Sequence, residues 1–395
     1  MKKLIIITEI PSHYRLPVFN LIAKDENISL LVIYLKHEIR GRSWDILWNL
    51  NQFNYKTLKS FCYSRKDGSQ IYISTGLTKI LKQFEPDVII CDGYNHTACL
   101  EALFFSKKNK VRCLLRSESN KNDNRSDLHL LKIIKQIIIK NFSGFISSGI
   151  SSRNYLQSLG AKHEDIWIAP DSVENHWYNK NKKKNSKIIK LLFVGRIMDH
   201  KGIFNLLRAF KLINENIIND FQLTYIGGGN KASELKNDVK KLKLNNVKLV
   251  EFIQPKKLAF EYCKHDIFIM PTLSDPWGLV VNEAMAAGLP IICSNKAGCS
   301  KDLVINGWNG YVYNGTSIND LKKCILEFHA NRDLIFKMGQ NSQKLIDLYS
   351  SKNAAMSIIS ASLNEKSSIE KEINSFRMEH VLSLIHISEP TRQEA

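Results

Sequence analysis

Two stretches of the chain place cations, carboxylates and glycines at spacings that suit an anionic, hydroxyl-bearing ligand. The first is Phe193-Val-Gly195-Arg196-Ile-Met-Asp-His-Lys201-Gly202. An apolar run ends at Gly195 and a helical pattern opens near Gly202, so Arg196 and Lys201 project from one loop toward a helix N-terminus. Two fixed cations, free N–H groups and a favourable dipole fit a diphosphate. A basic, solvent-exposed turn is the competing reading, and the loop alone does not separate the two.

The second stretch runs from Pro271 to Pro290. Asp275 lies in the loop between an apolar run at 267–270 and a helical pattern at 279–287, and Glu283 stands eight residues further on, inside that helix. The N–H groups around Gly278, Leu279 and Val280 are donors that a helix start leaves unpaired. A carboxylate before the helix and another within it can grip hydroxyls at two separated points of a ligand. Glu283 has Leu279, Val280, Ala284 and Met285 for neighbours in the helix, and a buried carboxylate needs partners. Contact with a ligand and a satisfied place in a capping or core network both stay open for it.

The elements that must position these loops follow from hydrophobic periodicity. In the first half, apolar runs at 4–8, 30–34, 87–91, 111–115, 144–148 and 166–169 read as strands. They alternate with helical patterns at 17–23, 97–106, 127–140 and 151–159. After residue 187 the winding restarts, with strands at 188–194, 221–226, 247–250, 267–270 and 290–293. Helices are expected at 203–214, 232–243, 256–264, 279–287, 320–330 and 333–350. Such alternation indicates parallel sheets wound on both faces. The predicted fold class is α/β, with two Rossmann-like doubly wound domains facing each other across a crevice.

The expected division is a first domain over 1–178, a basic linker over 179–187, and a second domain over 188–365 whose last helix can pack back on the first. Residues 366–381 read as a tail. The segment 382–395, which opens Leu-Ser-Leu-Ile-His-Ile-Ser-Glu-Pro, reads as a translated sequencing adapter, is set aside from fold reasoning, and leaves the true C-terminus unassigned. In open α/β sheets ligands sit beyond the carboxyl ends of the strands, which is where both stretches fall.

With 395 residues, 44% of them hydrophobic and 24% charged, the chain reads as soluble with material for two cores. No run reaches the roughly 18 apolar residues of a membrane span. The opening Met-Lys-Lys-Leu-Ile-Ile-Ile-Thr resembles a signal peptide but meets Glu9 without a small-residue cleavage site, so a buried first strand is the better reading. Eight cysteines show no Cys-x-x-Cys pair and no zinc spacing, which favours a reducing compartment and a cytoplasmic location.

The net charge of +18 is uneven: residues 1–187 carry 30 Lys+Arg against 17 Asp+Glu, and the remainder 26 against 21. That excess suits nucleic acid, an anionic membrane surface or a phosphorylated substrate, with a Lys-rich solvated surface as the plain alternative. Without a helix-turn-helix, zinc-finger or RNA-recognition motif, nucleic acid is not an expected partner.

The string from Thr272 to Pro290 closely resembles the C-terminal signature of retaining glycosyltransferase family 4 in its Glu-x7-Glu form, with Asp275 in place of the first glutamate. Gly195-Arg196 with Lys201-Gly202 is similar to that family's donor-phosphate loop. Gly227-Gly228-Gly229 before Glu234-Leu235 looks like its glycine-rich turn. Ala297–Val304 and Asn306–Tyr311 look like its downstream loops, and 147–159 with Ala169-Pro170-Asp171-Ser172-Val173 resembles the end of its first domain. The resemblance covers most of 1–365. It is specific at 193–202 and 272–310 and diffuse over the first half.

The resemblance implies a GT-B fold and retaining, metal-independent transfer of a hexose-type residue. The donor is a UDP- or GDP-linked sugar, a co-substrate, so no cofactor is expected. Gly195, Arg196, Lys201, Gly278, Leu279, Val280 and Glu283 would hold the donor. Among these, Arg196 and Lys201 would clamp the diphosphate and Glu283 the ribose hydroxyls, while Asp275 would contact the transferred sugar. Arg196, Lys201, Asp275 and Glu118 are the implied catalytic set.

Glu118 ends a strand where many relatives carry a histidine; acceptor positioning or proton transfer is its implied role, loop ordering the alternative. His13, Tyr14 and Arg15 stand where many relatives have a glycine-rich loop and are candidate acceptor or phosphate contacts. Asp92 and His96 lie in another strand-end loop. The implied function is transfer to a glycan or lipid-linked oligosaccharide in capsule or lipopolysaccharide synthesis, with an anionic membrane surface, the inner face of the cell membrane, as a further partner. A sugar-nucleotide epimerase of the same architecture and a non-catalytic glycan- or nucleotide-binding subunit are the alternatives, and intact Arg196, Lys201 and Glu283 speak against the latter.

Overall fold

A computed structural model describes residues 1–36, 51–64, 70–123, 129–178 and 187–388. Its strands are β1 Lys2–Thr8, β2 Ile28–Tyr34, β3 Asn54–Thr57, β4 Lys59–Ser64, β5 Gln70–Thr75, β6 Val88–Asp92, β7 Arg112–Ser117, β8 Gly144–Ser147 and β9 Ile166–Ile168. They continue with β10 Ile189–Val194, β11 Phe221–Ile226, β12 Val247–Val250, β13 Ile267–Met270, β14 Ile291–Ser294 and β15 Gly310–Tyr313. One parallel sheet has the order β3-β2-β1-β6-β7-β8-β9 and a second β12-β11-β10-β13-β14-β15, while β4 and β5 form an antiparallel hairpin.

Strands covered by helices on both faces need apolar side chains in both directions, which is why the central ones read as unbroken hydrophobic runs. In β1, Ile5 and Ile7 enter one core with Leu81, Ala102 and Leu156, whereas Leu4 and Ile6 enter another with Phe19, Ile22 and Ile358.

The chain divides into two compact units, Met1–Ser172 with Ser351–Glu370, and Val173–Ser350 with the residues from Lys371 onward. Each is a doubly wound α/β unit. The first boundary therefore falls at Ser172 and not at 178, because Val173 bridges to Ser350 and the Asn175 side-chain amide donates to the Ile346 carbonyl at 3.2 Å. The second unit's body ends at Ser350 and not at 365. The helix Ser351–Leu363, at the end of the range whose last helix was allowed to pack back, sends Ala354, Ala355, Ile358 and Ala361 into the core that holds Phe19.

The expected tail at 366–381 is instead largely helical, within Ile369–Ser388. Its Arg377 donates to the Asp302 carbonyl, and Trp308 packs on Phe376 and His380 with ring centroids 5.7 and 4.5 Å apart. The segment set aside as adapter begins inside this helix, and 389–395 lie outside the described residues, as do 179–186 of the expected linker. The helix anticipated at 127–140 is His129–Ile139.

The loops after β10 and β13 are pressed together. The Leu273 N–H donates to the His200 carbonyl at 2.8 Å, and the Thr272 hydroxyl donates to the same oxygen at 3.0 Å. Gly202, at φ +69°, closes the contact: a Cβ there would lie 1.8 Å from the Pro271 carbonyl oxygen. Left-handed backbone costs an L residue about 1–2 kcal/mol, and forced overlap typically about 1–3 more. Gly202→Ala is therefore expected to lower unfolding stability by about 2–5 kcal/mol. Gly228, with nothing within 4 Å of its virtual Cβ, is the control, and Gly228→Ala should stay within about 1 kcal/mol. Denaturant midpoints of the two variants check this.

Candidate functional site

Each parallel sheet reverses its strand order once, at β1/β6 and at β10/β13. Loops leaving the carboxyl ends at such a switch point are where open α/β sheets hold ligands.

In the second unit the loop from β10 carries Arg196 and Lys201, and the loop from β13 carries Asp275. The close approach at Gly202 sets the Lys201 ammonium in an ion pair with the Asp275 carboxylate, and both side chains are largely buried. Arg196, by contrast, is exposed and makes no hydrogen bond or ion pair with the described residues. The helix Leu279–Ala286 starts at Gly278, and the N–H groups of Leu279 and Val280 meet no acceptor among the described residues. Unpaired N–H donors at a helix N-terminus favour an anion.

Neighbouring loops hold this arrangement. The Gly298 N–H donates to the Asp275 carbonyl at 3.0 Å, the Cys299 N–H to that of Trp277 at 3.2 Å, and the Trp277 indole N–H to the Asn282 side chain at 2.9 Å. The glycine-rich turn after β11 lies against the first loop: a Cβ on Gly227 would be 2.0 Å from the Gly195 carbonyl oxygen, and the Ile197 N–H donates to the Gly228 carbonyl at 2.9 Å.

Glu283 has two tyrosine partners within the second unit. It is 1% exposed; the Tyr178 hydroxyl donates to its Oε1 at 3.0 Å and the Tyr262 hydroxyl to its Oε2 at 2.6 Å. The two tyrosines take one lone pair on each carboxylate oxygen and leave the other. Tyr178 and Tyr262 lie outside the motif, and nothing within 272–290 announced them.

At the first unit's switch point Arg15, from the loop after β1, donates to the Thr8 hydroxyl at 2.8 Å. It pairs with Asp92 at the end of β6 and with Glu118 beyond β7, the latter at 2.8 Å. Arg116, near the end of β7, pairs with Asp171 at 2.9 Å and lies 3.8 Å from Asp92. Arg116 and Asp171 were not among the candidate site residues; a charged side chain ending the apolar run 111–115 was the available signal. Burial, with Arg116 alongside, holds Arg15 below the ordinary guanidinium range. Burial and the Glu118 charge push the Asp171 carboxyl up to about 7, against the pull of Arg116 and Arg15.

The remaining first-unit candidates do not share this bonding. His96 is committed elsewhere: Nε2 lies 2.8 Å from the Glu9 carboxylate and Nδ1 accepts the Tyr72 N–H at 3.2 Å, which ties the hairpin to the helix Thr97–Asn109. His13 is buried with its ring 3.8 Å from that of Tyr14, centroid to centroid.

The Asp171 shift has a sign. Its folded-state pKa is raised above the unfolded value, so its contribution to stability is full below about pH 4 and is lost as pH rises toward the folded value of about 7. Asp171→Asn is expected to flatten the fall in stability over that window. Denaturant midpoints of both proteins from pH 4 to 8 check it, and parallel slopes would contradict the assignment.

The family model for "Glycosyl transferases group 1" matches residues 176–345. An uncharacterized glycosyltransferase of Methanocaldococcus jannaschii is 30% identical over 167 residues, 42% of this chain and 46% of that protein. The capsular polysaccharide biosynthesis glycosyltransferase CapM of Staphylococcus aureus is 27% identical over 209 residues, 51% of this chain and 53% of its own. The chain thus spans about half the length of the curated relatives it matches. Among solved structures, Anabaena HepE in complex with UDP and glucose superposes with a TM-score of 0.70 at 14% identity, covering 93% of this chain and all of that one. The fold is that of the GT-B glycosyltransferases, and residues 176–345 of the second unit are similar in sequence to the glycosyl transferases group 1.

Proposed function

We propose that this protein transfers a hexose-type residue from a UDP- or GDP-sugar to a glycan or lipid-linked acceptor in cell-surface polysaccharide synthesis, with retention and without a metal. The observation that carries the reading is the β10/β13 site. Exposed Arg196, the Lys201–Asp275 pair and the unpaired N–H groups of Leu279 and Val280 lie on loops that leave one switch point. The capsular relative and the UDP and glucose in the HepE structure support the substrate class.

As the bond between the anomeric carbon and the diphosphate oxygen breaks, negative charge grows on the leaving diphosphate. Fixed donors aimed at that charge are the strongest lever a protein has there. Arg196 supplies a free guanidinium, the helix N-terminus two N–H groups, and Lys201 an ammonium that Asp275 aims. Asp275 is the group placed to meet the transferred sugar while holding Lys201. Glu283 acts through Tyr178 and Tyr262 as a positioning residue of the helix. The excess of cations over residues 1–187 supports work at the inner face of the cell membrane. No helix among the described residues is long and apolar enough to cross one.

Transfer or hydrolysis of UDP- and GDP-sugars tests the reading. Arg196→Ala and Lys201→Ala should each lower kcat/KM by about 10²–10³-fold. Lys201→Ala and Asp275→Asn combined should lose far less than the product of the single losses, because both remove one interaction. Near-wild-type turnover in both cation variants would sink the diphosphate assignment, and multiplicative losses would separate Lys201 from Asp275. For Glu283→Gln, the free-nucleotide affinity should hold while the melting temperature falls; the opposite result supports the ribose contact.

A further inference from the structure

In the first unit, the β6–β7 and β7–β8 crossovers set the helices Thr97–Asn109 and His129–Ile139 on the same face of the sheet, since right-handed connections between successive parallel strands all wind one way. The core they share confirms it: Ala98, Cys99, Ala102 and Leu103 of one helix and Ile139 of the other belong to a single buried cluster. Their outer faces are apolar. Phe104 is 72% exposed and Ile137 58%, and Leu100, Leu131, Ile133 and Ile134 are exposed beside them. A helix reading Leu-Leu-Lys-Ile-Ile-Lys-Gln-Ile-Ile-Ile with so few buried side chains has more apolar surface than its own unit covers.

Among the described residues of these helices and their C-terminal flanks, the exposed charges are lysines. Lys107, Lys108, Lys110, Lys132 and Lys140 are exposed at its margins. Among the described residues of the two helices the one acid is Glu101, whose carboxylate accepts the Thr78 N–H at 2.8 Å. The β4–β5 hairpin adjoins the first helix through the Ser74 N–H, which donates to the Thr97 hydroxyl at 2.9 Å. The hairpin exposes Phe61 and Ile73, which are direct cross-strand partners. A second copy of this chain would bring lysines against lysines. An anionic bilayer offers acyl chains to the isoleucines and headgroup charge to the lysines, whose stems can reach up from an apolar face.

We propose that the outer faces of the helices Thr97–Asn109 and His129–Ile139 form a bilayer-docking surface, inserting Phe104 and Ile137 among anionic lipids with the flanking lysines at headgroup level. This deepens the membrane part of the preceding reading and rests on it, but not on the transfer chemistry. Charge alone and insertion differ in their salt dependence. An exposed ionic contact is screened within a Debye length of about 10 Å at 0.1 M and about 3 Å at 1 M, whereas buried apolar area is not.

Co-sedimentation with phosphatidylglycerol/phosphatidylcholine vesicles tests it, with the melting-temperature shift by UDP and GDP as the control for folding and an intact donor site. The full chain should bind, weaken as salt rises, and keep a residual affinity at 1 M NaCl. The double variant Phe104→Ser/Ile137→Ser should lose roughly tenfold or more of its affinity at all salt concentrations. Lys107→Ala/Lys108→Ala/Lys132→Ala should remove the salt-sensitive part and leave the residual.

Wild-type vesicle binding by the serine variant overturns the surface assignment while leaving charge-driven membrane association standing. No binding by the unaltered protein overturns both. A dimer that the serine variant dissociates, without vesicle binding, gives the face to a second copy. Loss of sugar transfer with vesicle binding intact counts against the transferase reading alone.

Discussion

A carbonyl oxygen occupies the space that a side chain would need at position 202, and the second unit's site is built on that contact. The Pro271 oxygen would be 1.8 Å from any Cβ, so the loop after β10 can lie on the loop after β13 only through a glycine. Once they touch, the His200 carbonyl takes two hydrogen bonds from Thr272 and Leu273, and Lys201, one residue before the glycine, has Asp275 as its partner. A largely buried ion pair is a weak source of stability, because desolvation cancels much of the attraction. Here the backbone contacts hold the loops together first, and the pair is a consequence of where they are held. The Lys201 ammonium is thereby fixed at the switch point with little freedom left to lose when an anion arrives.

The two switch points repeat one device with opposite electrostatic outcomes. In each unit a cation from the first loop meets a carboxylate from the loop or strand end across the reversal, Arg15 with Asp92 and Lys201 with Asp275. Around the first pair, Glu118, Arg116 and Asp171 close the group, so that two guanidiniums face three carboxylates, one of them with its pKa pushed up to about 7. In that group each guanidinium has a carboxylate partner. Around the second pair, Arg196 and the N–H groups of Leu279 and Val280 have no partner among the described residues, which leaves an excess of donors there. The units differ in what each leaves unpaired.

The alternation of apolar runs and helical patterns was enough to place the central strands, because strands buried on both faces have no polar positions to confuse the period. What escaped was short, polar or late. β3 reads Asn-Tyr-Lys-Thr and is mostly exposed, so it carries no run. The hairpin of β4 and β5 alternates in sequence, but its strands are only six residues long. The helix Ser351–Leu363 is rich in Ser and Ala, and no pattern says which unit it serves. In the site, residues that are close because loops leave neighbouring strands were legible one at a time. Their pairing was not, since Lys201 and Asp275 are 74 positions apart in the chain. The partners of Glu283 escaped for a related reason: its tyrosines come from a different helix and from the segment that opens the second unit.

Composition located the excess of positive charge in the first half but left its meaning open, because a lysine on a solvated helix and a lysine beside a lipid look the same in a count. The fold separates them by their neighbours. On the helix Ala232–Lys241 the inward positions Leu235 and Val239 are buried, the outward ones are polar, and Lys231, just before it, is tied to Glu234 at 2.7 Å; these lysines belong to water. On His129–Ile139 the outward positions are isoleucines and leucines, and the lysines between them have no acid on their own helix to meet. An isolated lysine is soluble anywhere and an isolated exposed isoleucine is tolerated. On each of the two helices exposed apolar side chains stand with lysines, and such a face is stable against water only at a cost that an anionic, apolar neighbour removes. This face belongs to the first unit and the Lys201–Asp275 switch point to the second, so the proposed surface and diphosphate ligands fall to different halves of the chain.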